Sequence, residues 1–385
     1  MTGAGGGTTV VRLTIGSIAF GWLMCFAAVG PATAAPGEML TFTQACDASG
    51  LVFTLDGSLL VADDQSDILL TYAASGGEPI ARTDLYGLTG TPPRSRNNFS
   101  AFEGAARLGD MIYFVTSHAR EEKGKNRPNR RRLLAVKSTP VGDAERLDPV
   151  GIAYTALNVD LGKAPQLRSL GLANAIMQLH RQLPHLAPGK NGINIEGLAA
   201  GKNGELLIGL RNPRTQGLTS LIPLENPHSV VLGYGEPVFG QSYRLDLGGL
   251  GISDIALHPG QGVYYILATP HDRDADAKLY RWSGVRDDPA VLLLDVDPRD
   301  FAAQALAVAP DGKRLMVLSD DGDRPLPIEK KEECSSRPRK EGECACNKIV
   351  DVSRKQFRGR WIELPPLPIS IPTASRPAGS VSATP

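Results

Sequence analysis

Short apolar runs and glycine-marked turns alternate along this chain, and one arrangement returns five times. "ASGLVFTLDGSLLVADD" begins at Ala48, "FEGAARLGDMIYFVTSH" at Phe102 and "IEGLAAGKNGELLIGLRN" at Ile195. "ISDIALHPGQGVYYILATP" begins at Ile252 and "QALAVAPDGKRLMVLSDDG" at Gln304. Each reads as a short apolar strand, a turn built on Gly, Asp or Pro-Gly, and a stronger strand that ends in polar residues. Two such runs around a Gly-containing turn predict a β-hairpin. A third strand follows most hairpins, as in "DILLTYAA" (67–74), "RRLLAVKS" (131–138), "TSLIPL" (219–224) and "AKLYRWSG" (277–284). A fourth often comes next, as in "PVGIAYTAL" and "AVLLLDV". Four strands recurring at about 50–60 residues is the pattern of a β-propeller.

The starts lie 54, 93, 57 and 52 residues apart. The long interval holds "GLANAIMQLHRQL", where Leu172, Ile176, Leu179 and Leu183 recur at helical spacing and Pro184 ends the run. The expectation is therefore an all-β fold. It is a β-propeller of five four-stranded blades with one short helical insertion, or of six if the insertion conceals a degenerate blade. The strand near "GRWIEL" (359–364) is expected to close the ring by pairing with the first blade.

The propeller pattern occupies 36–363. Residues 1–35 have the three parts of a secretory signal peptide: Arg12, the apolar stretch "LTIGSIAFGWLMCFAAVG", and Ala-x-Ala at Ala32 and Ala34. No other stretch approaches the ~20 apolar residues of a membrane span. The mature chain is thus expected to be periplasmic or secreted, without a transmembrane segment. Residues 364–385, rich in Pro, Ser and Ala, read as a disordered tail.

Export changes what the cysteines mean. Cys46, Cys334, Cys344 and Cys346 remain after cleavage, and an oxidising compartment permits disulfides. Three of them fall in the charged segment "KKEECSSRPRKEGECACNK", which predicts a staple from Cys334 to Cys344 or Cys346, with Cys46 taking the remaining thiol. Two thiolates in Cys-x-Cys fall short of a closed zinc shell.

Charge excludes little beyond nucleic acid. Lys and Arg number 41, as do Asp and Glu, so the whole chain offers no electrostatic footprint for a nucleic-acid partner. The loop "REEKGKNRPNRRR" (120–132) is locally basic. It reads as a solvated hairpin loop or, through Arg130, Arg131 and Arg132, as a patch for an anionic polymer. No Walker A, His-Glu-x-x-His or dinucleotide fingerprint is present, and no Gly-x-Ser-x-Gly elbow surrounds Ser117-His118.

The candidate chemistry sits where first strands begin. In a propeller these strands line the central channel, and Glu103, Glu196 and Asp254 stand at the heads of three of them. Converging carboxylates repel unless a cation, a proton or an Arg/Lys compensates. The three acids are therefore candidate ligands of a Ca²⁺-type ion, which takes oxygen donors. Asn194 can add a carbonyl, Arg211 is the rival partner for Glu196, and His118 is a hydrogen-bonding candidate at the channel or blade edge. The bland alternative is that each acid accepts backbone N–H bonds from a neighbouring loop. "LSDDGD" (318–323) lacks the spacing and terminal Glu of an EF-hand and reads first as a turn.

The segments "FEGAARLGDMIYFVTSHAREEKGKNRPNRRRLLAV", "NGINIEGLAAGKNGELLIGLRNP", "DLGGLGISDIAL" and "LSDDG" occur in order. Together, from about residue 48 to 363, the chain resembles the bacterial domain-of-unknown-function 3616 family. The resemblance implies a β-propeller and brings no established reaction. Its motifs fall on Glu103, Ser117, His118, Asn194, Glu196, Arg211, Asn212 and Asp254. The chain departs from the pattern at Ser253, where the resemblance implies an arginine, which alters the charge balance beside the acids. A looser similarity, at the level of fold, is to phytase-like esterase and lactonase propellers. The resulting expectation is a binding or scaffold propeller for an unknown small-molecule or protein ligand. The alternative is a metal-dependent hydrolase of a phosphoester or lactone.

Overall fold

The second strand of every hairpin is apolar at nearly every position because both of its faces are covered. Met111–Thr116 and Tyr264–Thr269 are buried throughout, whereas the fourth strands Ala144–Tyr154 and Val291–Val296 are largely open to solvent. A continuous apolar run is what a strand buried on both faces requires. The computed structural model describes residues 37–90, 99–270, 277–296, 301–337 and 340–365. The proposed signal peptide at 1–35 lies outside the described residues, as does the proposed tail from 366 on.

Five four-stranded antiparallel sheets form a ring. Blade I comprises Ala48–Phe53, Leu59–Asp63, Ile68–Tyr72 and Pro79–Asp84, and blade II comprises Phe102–Leu108, Met111–Thr116, Leu133–Val141 and Ala144–Tyr154. Blade III runs Asn194–Ala200, Leu206–Asn212, Thr219–Leu224 and Tyr243–Leu245; blade IV runs Gly251–Leu257, Tyr264–Thr269, Ala277–Trp282 and Val291–Val296. Blade V is built from both ends of the chain: Ala303–Val308, Arg314–Ser319, Gln356–Glu363 and, outermost, Met39–Thr43. The first strands of successive blades touch one another all the way round, so they line the channel.

Closure differs from the sequence expectation in one respect. Gln356–Glu363 stays in the last blade, and its new partner is the short strand Met39–Thr43 that precedes blade I, with Phe42 opposite Phe357. Phe42 is fully buried, 5.0 Å from the Phe357 ring and 5.4 Å from Tyr72 of blade I.

Each seam between blades has its own apolar core. Leu60 and Leu69 meet Phe114 and Leu134 between blades I and II, and Leu207 and Leu221 meet Ile266 and Trp282 between blades III and IV. The long interval in the sequence is explained at the seam of blades II and III. There a helix, Leu157–Lys163, and shorter helical turns bury Leu161, Leu167, Leu170 and Leu172. The predicted helix from Leu172 is only the turn Leu172–Ala175, and Ile176, Leu179 and Leu183 are left half-buried outside it. No sixth sheet of this type occurs among the described residues.

After blade V's second strand the chain leaves the ring for a small lobe with a two-stranded sheet, Pro325–Pro327 with Glu343–Ala345. Two disulfides hold it, Cys334–Cys344 within the lobe and Cys46–Cys346 to the start of the chain, and both lie among the pairings anticipated above. Disulfides accord with an extracytoplasmic location. Among the described residues no helix is long and apolar enough to cross a membrane.

Candidate metal centre

Every first strand carries a bulge at its second or third position, and the bulge aims one side chain at the channel mouth. The register slips at Ser49, Glu103, Glu196, Ser253 and Gln304 in blades I to V. Bulges re-aim side chains in this way. The glycine that follows the acid has a packing reason. A Cβ on Gly104 would lie 2.7 Å from the Glu196 carbonyl oxygen and 2.9 Å from Leu198 N, so only glycine lets the next blade's first strand approach.

This register corrects one reading. Ser253, not Asp254, is the blade IV counterpart of Glu103 and Glu196. Asp254 occupies the position held by Gly104 and Gly197. Its Oδ1 accepts Ile255 N–H and its Oδ2 accepts Leu306 N–H of blade V, both at 2.8 Å. Burial raises its carboxyl well above the ordinary carboxylate range, against the N–H groups of Leu306, Ile255 and Leu198, which favour the charge.

Glu196 is compensated by its neighbours. Arg211 Nη1 donates to both of its oxygens, at 2.8 and 2.7 Å, Asn194 Nδ2 donates at 2.7 Å and Gln304 Nε2 at 3.2 Å. Arg211 Nη2 is in turn held by the Pro270 carbonyl at 2.7 Å. Asn194 thus presents its N–H₂ to the acid. His118 is buried with a left-handed backbone (φ 52°), and among the described residues neither ring nitrogen makes a hydrogen bond of good geometry. Burial pushes its pKa down to about 3, so the imidazole is neutral. The basic loop is largely consumed by the fold: Arg120 binds the carbonyls of Gly124, Met177, Gln178 and Arg181, Arg132 binds the Thr89 carbonyl, and Arg127 pairs with Glu121.

The opposite side of the mouth is different. Where second strands end, one residue past the partner of the residue that precedes each bulge, stand Asp64, Ser117, Arg211, Thr269 and Asp320. Behind Asp64 stand Asp63 and Asp47, and one carboxylate oxygen from each of Asp47, Asp63 and Asp64 lies within 4.8 Å of the others. This group could hold a metal ion. Asp63 is propped by the backbone: its Oδ1 accepts Gln65 N–H at 2.7 Å and its Oδ2 accepts Cys46 and Asp47 N–H at 3.3 Å. Asp47 is only 6% exposed, and its buried Oδ2 has no hydrogen-bond partner among the described residues. Burial, then Asp64, Asp63 and Asp320, push the Asp47 carboxyl well above its usual range. Burial with Asp320 and Asp63 pushes Asp64 up to about 8. Glu103, half-buried, is raised by burial and by Glu196 and Asp64, with Arg130 and Arg211 opposing.

A cavity of about 670 Å³ opens beside these acids, lined by Asp64, Glu103, Ser117, Arg130 and Asn194 among others. A second, of about 450 Å³, borders the same mouth at Arg211, Thr269, Gln304 and Asp320.

The pattern of the family described as "Protein of unknown function (DUF3616)" matches residues 93–302, more than half of the chain. The chain belongs to this family. Among curated proteins nothing matches it. Two solved structures follow a similar course. The glutaminyl cyclase of Myxococcus xanthus is 13% identical over 86% of this chain and 97% of that one, with a TM-score of 0.39. A putative oxidoreductase (glucose dehydrogenase) of Thermus thermophilus is 14% identical over 84% of this chain and 100% of that one, with a TM-score of 0.37.

In this DUF3616 chain the sequence reading located the ring of first-strand heads and missed the aspartates. Asp63 and Asp64 are the polar end of blade I's second strand, and Asp320 has the same place in blade V. The signal was available in the endings "VADD" and "LSDD". Hairpin geometry brings second-strand ends to the same rim as first-strand starts.

Proposed function

We propose that the protein is an exported binding propeller whose channel mouth takes a divalent cation of the Ca²⁺ type through Asp47, Asp63 and Asp64, with Glu103 and Asp320 beside them. The observation that carries this reading is the Asp47 Oδ2 atom, buried beside two further carboxylates and without a hydrogen-bond partner among the described residues. An uncompensated buried carboxylate takes up a proton or a cation, and three oxygens so close favour a hard cation. Glu196, already met by Arg211, Asn194 and Gln304, is then part of the wall. A cation there would face the larger cavity opposite Arg130, an arrangement that suits a ligand carrying an oxyanion.

Thermal melts test this. In EDTA against added Ca²⁺, the wild type is expected to melt higher with the cation, because a ligand bound only by the native state stabilises it. Glu196→Gln should keep the shift and Asp64→Asn should lose it. No shift in the wild type with Ca²⁺ or Mg²⁺ would sink the reading.

A second reading, hydrolysis of a phosphoester or lactone, draws support from Glu103. Its raised pKa and its place on the cavity wall suit a general acid next to a cation. Cation-dependent turnover of a chromogenic phosphoester or lactone, lost in Glu103→Gln, would establish it. Absence of turnover with both substrate classes would leave the binding propeller.

A further inference from the structure

We infer that Asn347, carried to the channel mouth by the Cys46–Cys346 disulfide, positions the Asp47 carboxylate for the cation. The inference rests on the cation reading above and adds the device that orients one of its ligands.

The three aspartates are not equally supported. Asp63 receives three backbone N–H groups, and Asp64 Oδ1 receives Gln65 Nε2 at 2.6 Å. Among the described residues the donor to Asp47 is Asn347 Nδ2, 3.1 Å from Oδ1, and Oδ2 has none. A carboxylate pinned through one oxygen presents the other in a fixed direction. Without that bond it is free to turn, and part of the binding energy goes into stopping it.

Asn347 stands 300 positions from Asp47 and reaches it through a covalent detour. Cys346, just before it, is bonded to Cys46, just before Asp47. Three backbone bonds complete the join: Asn347 N–H to Gly322 O at 3.0 Å, Cys346 N–H to Arg324 O at 2.9 Å, and Asp321 N–H to Cys46 O at 2.8 Å. Gly322 forms the wall on that side. A Cβ there would lie 1.7 Å from Asp47 Oδ1 and 2.9 Å from Asn347 Nδ2, so the backbone abuts the very oxygen that Asn347 holds. The small lobe is thus attached to the ring where it touches the acid cluster. Its other disulfide, Cys334–Cys344, closes a loop of the lobe itself; it packs in the same apolar cluster as Cys46 and Cys346, and among the described residues it makes no hydrogen bond to Asp47 or Asn347.

The test uses Ca²⁺ titration and Tb³⁺ as a luminescent stand-in, whose lifetimes in H₂O and D₂O count bound waters. Asn347→Ala is expected to weaken Ca²⁺ binding on the order of 10–100-fold, the usual cost of removing a residue that orients a metal ligand. It should also add a bound water to Tb³⁺, as Asp47→Asn is expected to, a change that loosening of the lobe elsewhere would not produce. The double variant Cys46→Ser/Cys346→Ser should behave like Asn347→Ala, and Cys334→Ser/Cys344→Ser should match the wild type. Melts in EDTA check that each variant is folded. Wild-type affinity and hydration in Asn347→Ala, with binding still lost in Asp64→Asn, would overturn this inference and leave the cation site standing. No binding by the wild type would overturn both.

Discussion

Arg211 holds both carboxylate oxygens of Glu196 through a single nitrogen, at 2.8 and 2.7 Å, and both side chains are largely shielded from water. Removing the cation alone leaves a buried, uncompensated acid. Arg211→Met is expected to destabilise the protein by about 3–5 kcal/mol, and Glu196→Gln in the same chain should recover much of that loss. Urea unfolding of the two single variants and the double variant measures the coupling. Additive losses would mean that the pair is not the unit it looks like.

The aspartate cluster makes the cation-free protein sensitive to pH in a defined direction. Asp64 is raised to about 8, so the native state keeps a proton that the unfolded chain releases near pH 4. Stability in EDTA should therefore fall as pH rises between those values and level off above them. With saturating Ca²⁺ the part of the fall that comes from the aspartate cluster should vanish, leaving that of Asp254, and binding near pH 7 should release about one proton or more per ion. Melts from pH 4 to 9 and calorimetry in buffers of different ionisation enthalpy read the two effects. Asp64→Asn should flatten the EDTA profile.

His118 acts in the opposite sense. The unfolded imidazole takes a proton below its ordinary value of about 6.5, while the buried ring stays neutral down to about 3. Stability should be lost as pH falls through that window. His118→Asn, a residue that tolerates the left-handed backbone, removes the titrating group. The variant should lose less than the wild type between pH 6.5 and 3 in parallel melts. Parallel acid limbs would rule the contribution out.

Phe42 fastens the closing strand to two blades at once. Phe42→Ala is expected to cost about 3–5 kcal/mol, as full truncation of a buried aromatic does. Exchange of the Met39–Thr43 and Gln356–Glu363 amides should rise before that of other strands. Hydrogen exchange on the variant would detect it, and uniform exchange across blades would show that closure is held elsewhere.

Much of the ring was legible because strands buried on both faces announce themselves as unbroken aliphatic runs between glycine turns, as in "LLIGL" and "YYILA". Met39–Thr43 escaped because a five-residue outer strand with alternating exposure has no such run. The candidate site was half legible. Glu103 and Glu196 were found from first-strand heads, and Asp254 was misregistered because "SD" and "EG" differ by one place, a difference only the bulge resolves. Asp47, Asp63 and Asp64 meet within the first hairpin of blade I, where "VADD" marked the place, whereas Asn347 arrives through a disulfide 300 residues away, which has no local pattern in the chain.

Ring closure also sets an order of events. Asp47, Asp63 and Asp64 leave the ribosome well before Gly322, Cys346, Asn347 and the strand that Met39–Thr43 pairs with. The first segment must wait, unpaired, until Gln356–Glu363 has been made and Cys46 has met an oxidant. A cation bound with native affinity would therefore mark a molecule that has completed oxidation and folding, which a nascent chain that stops short of Asn347 could not match.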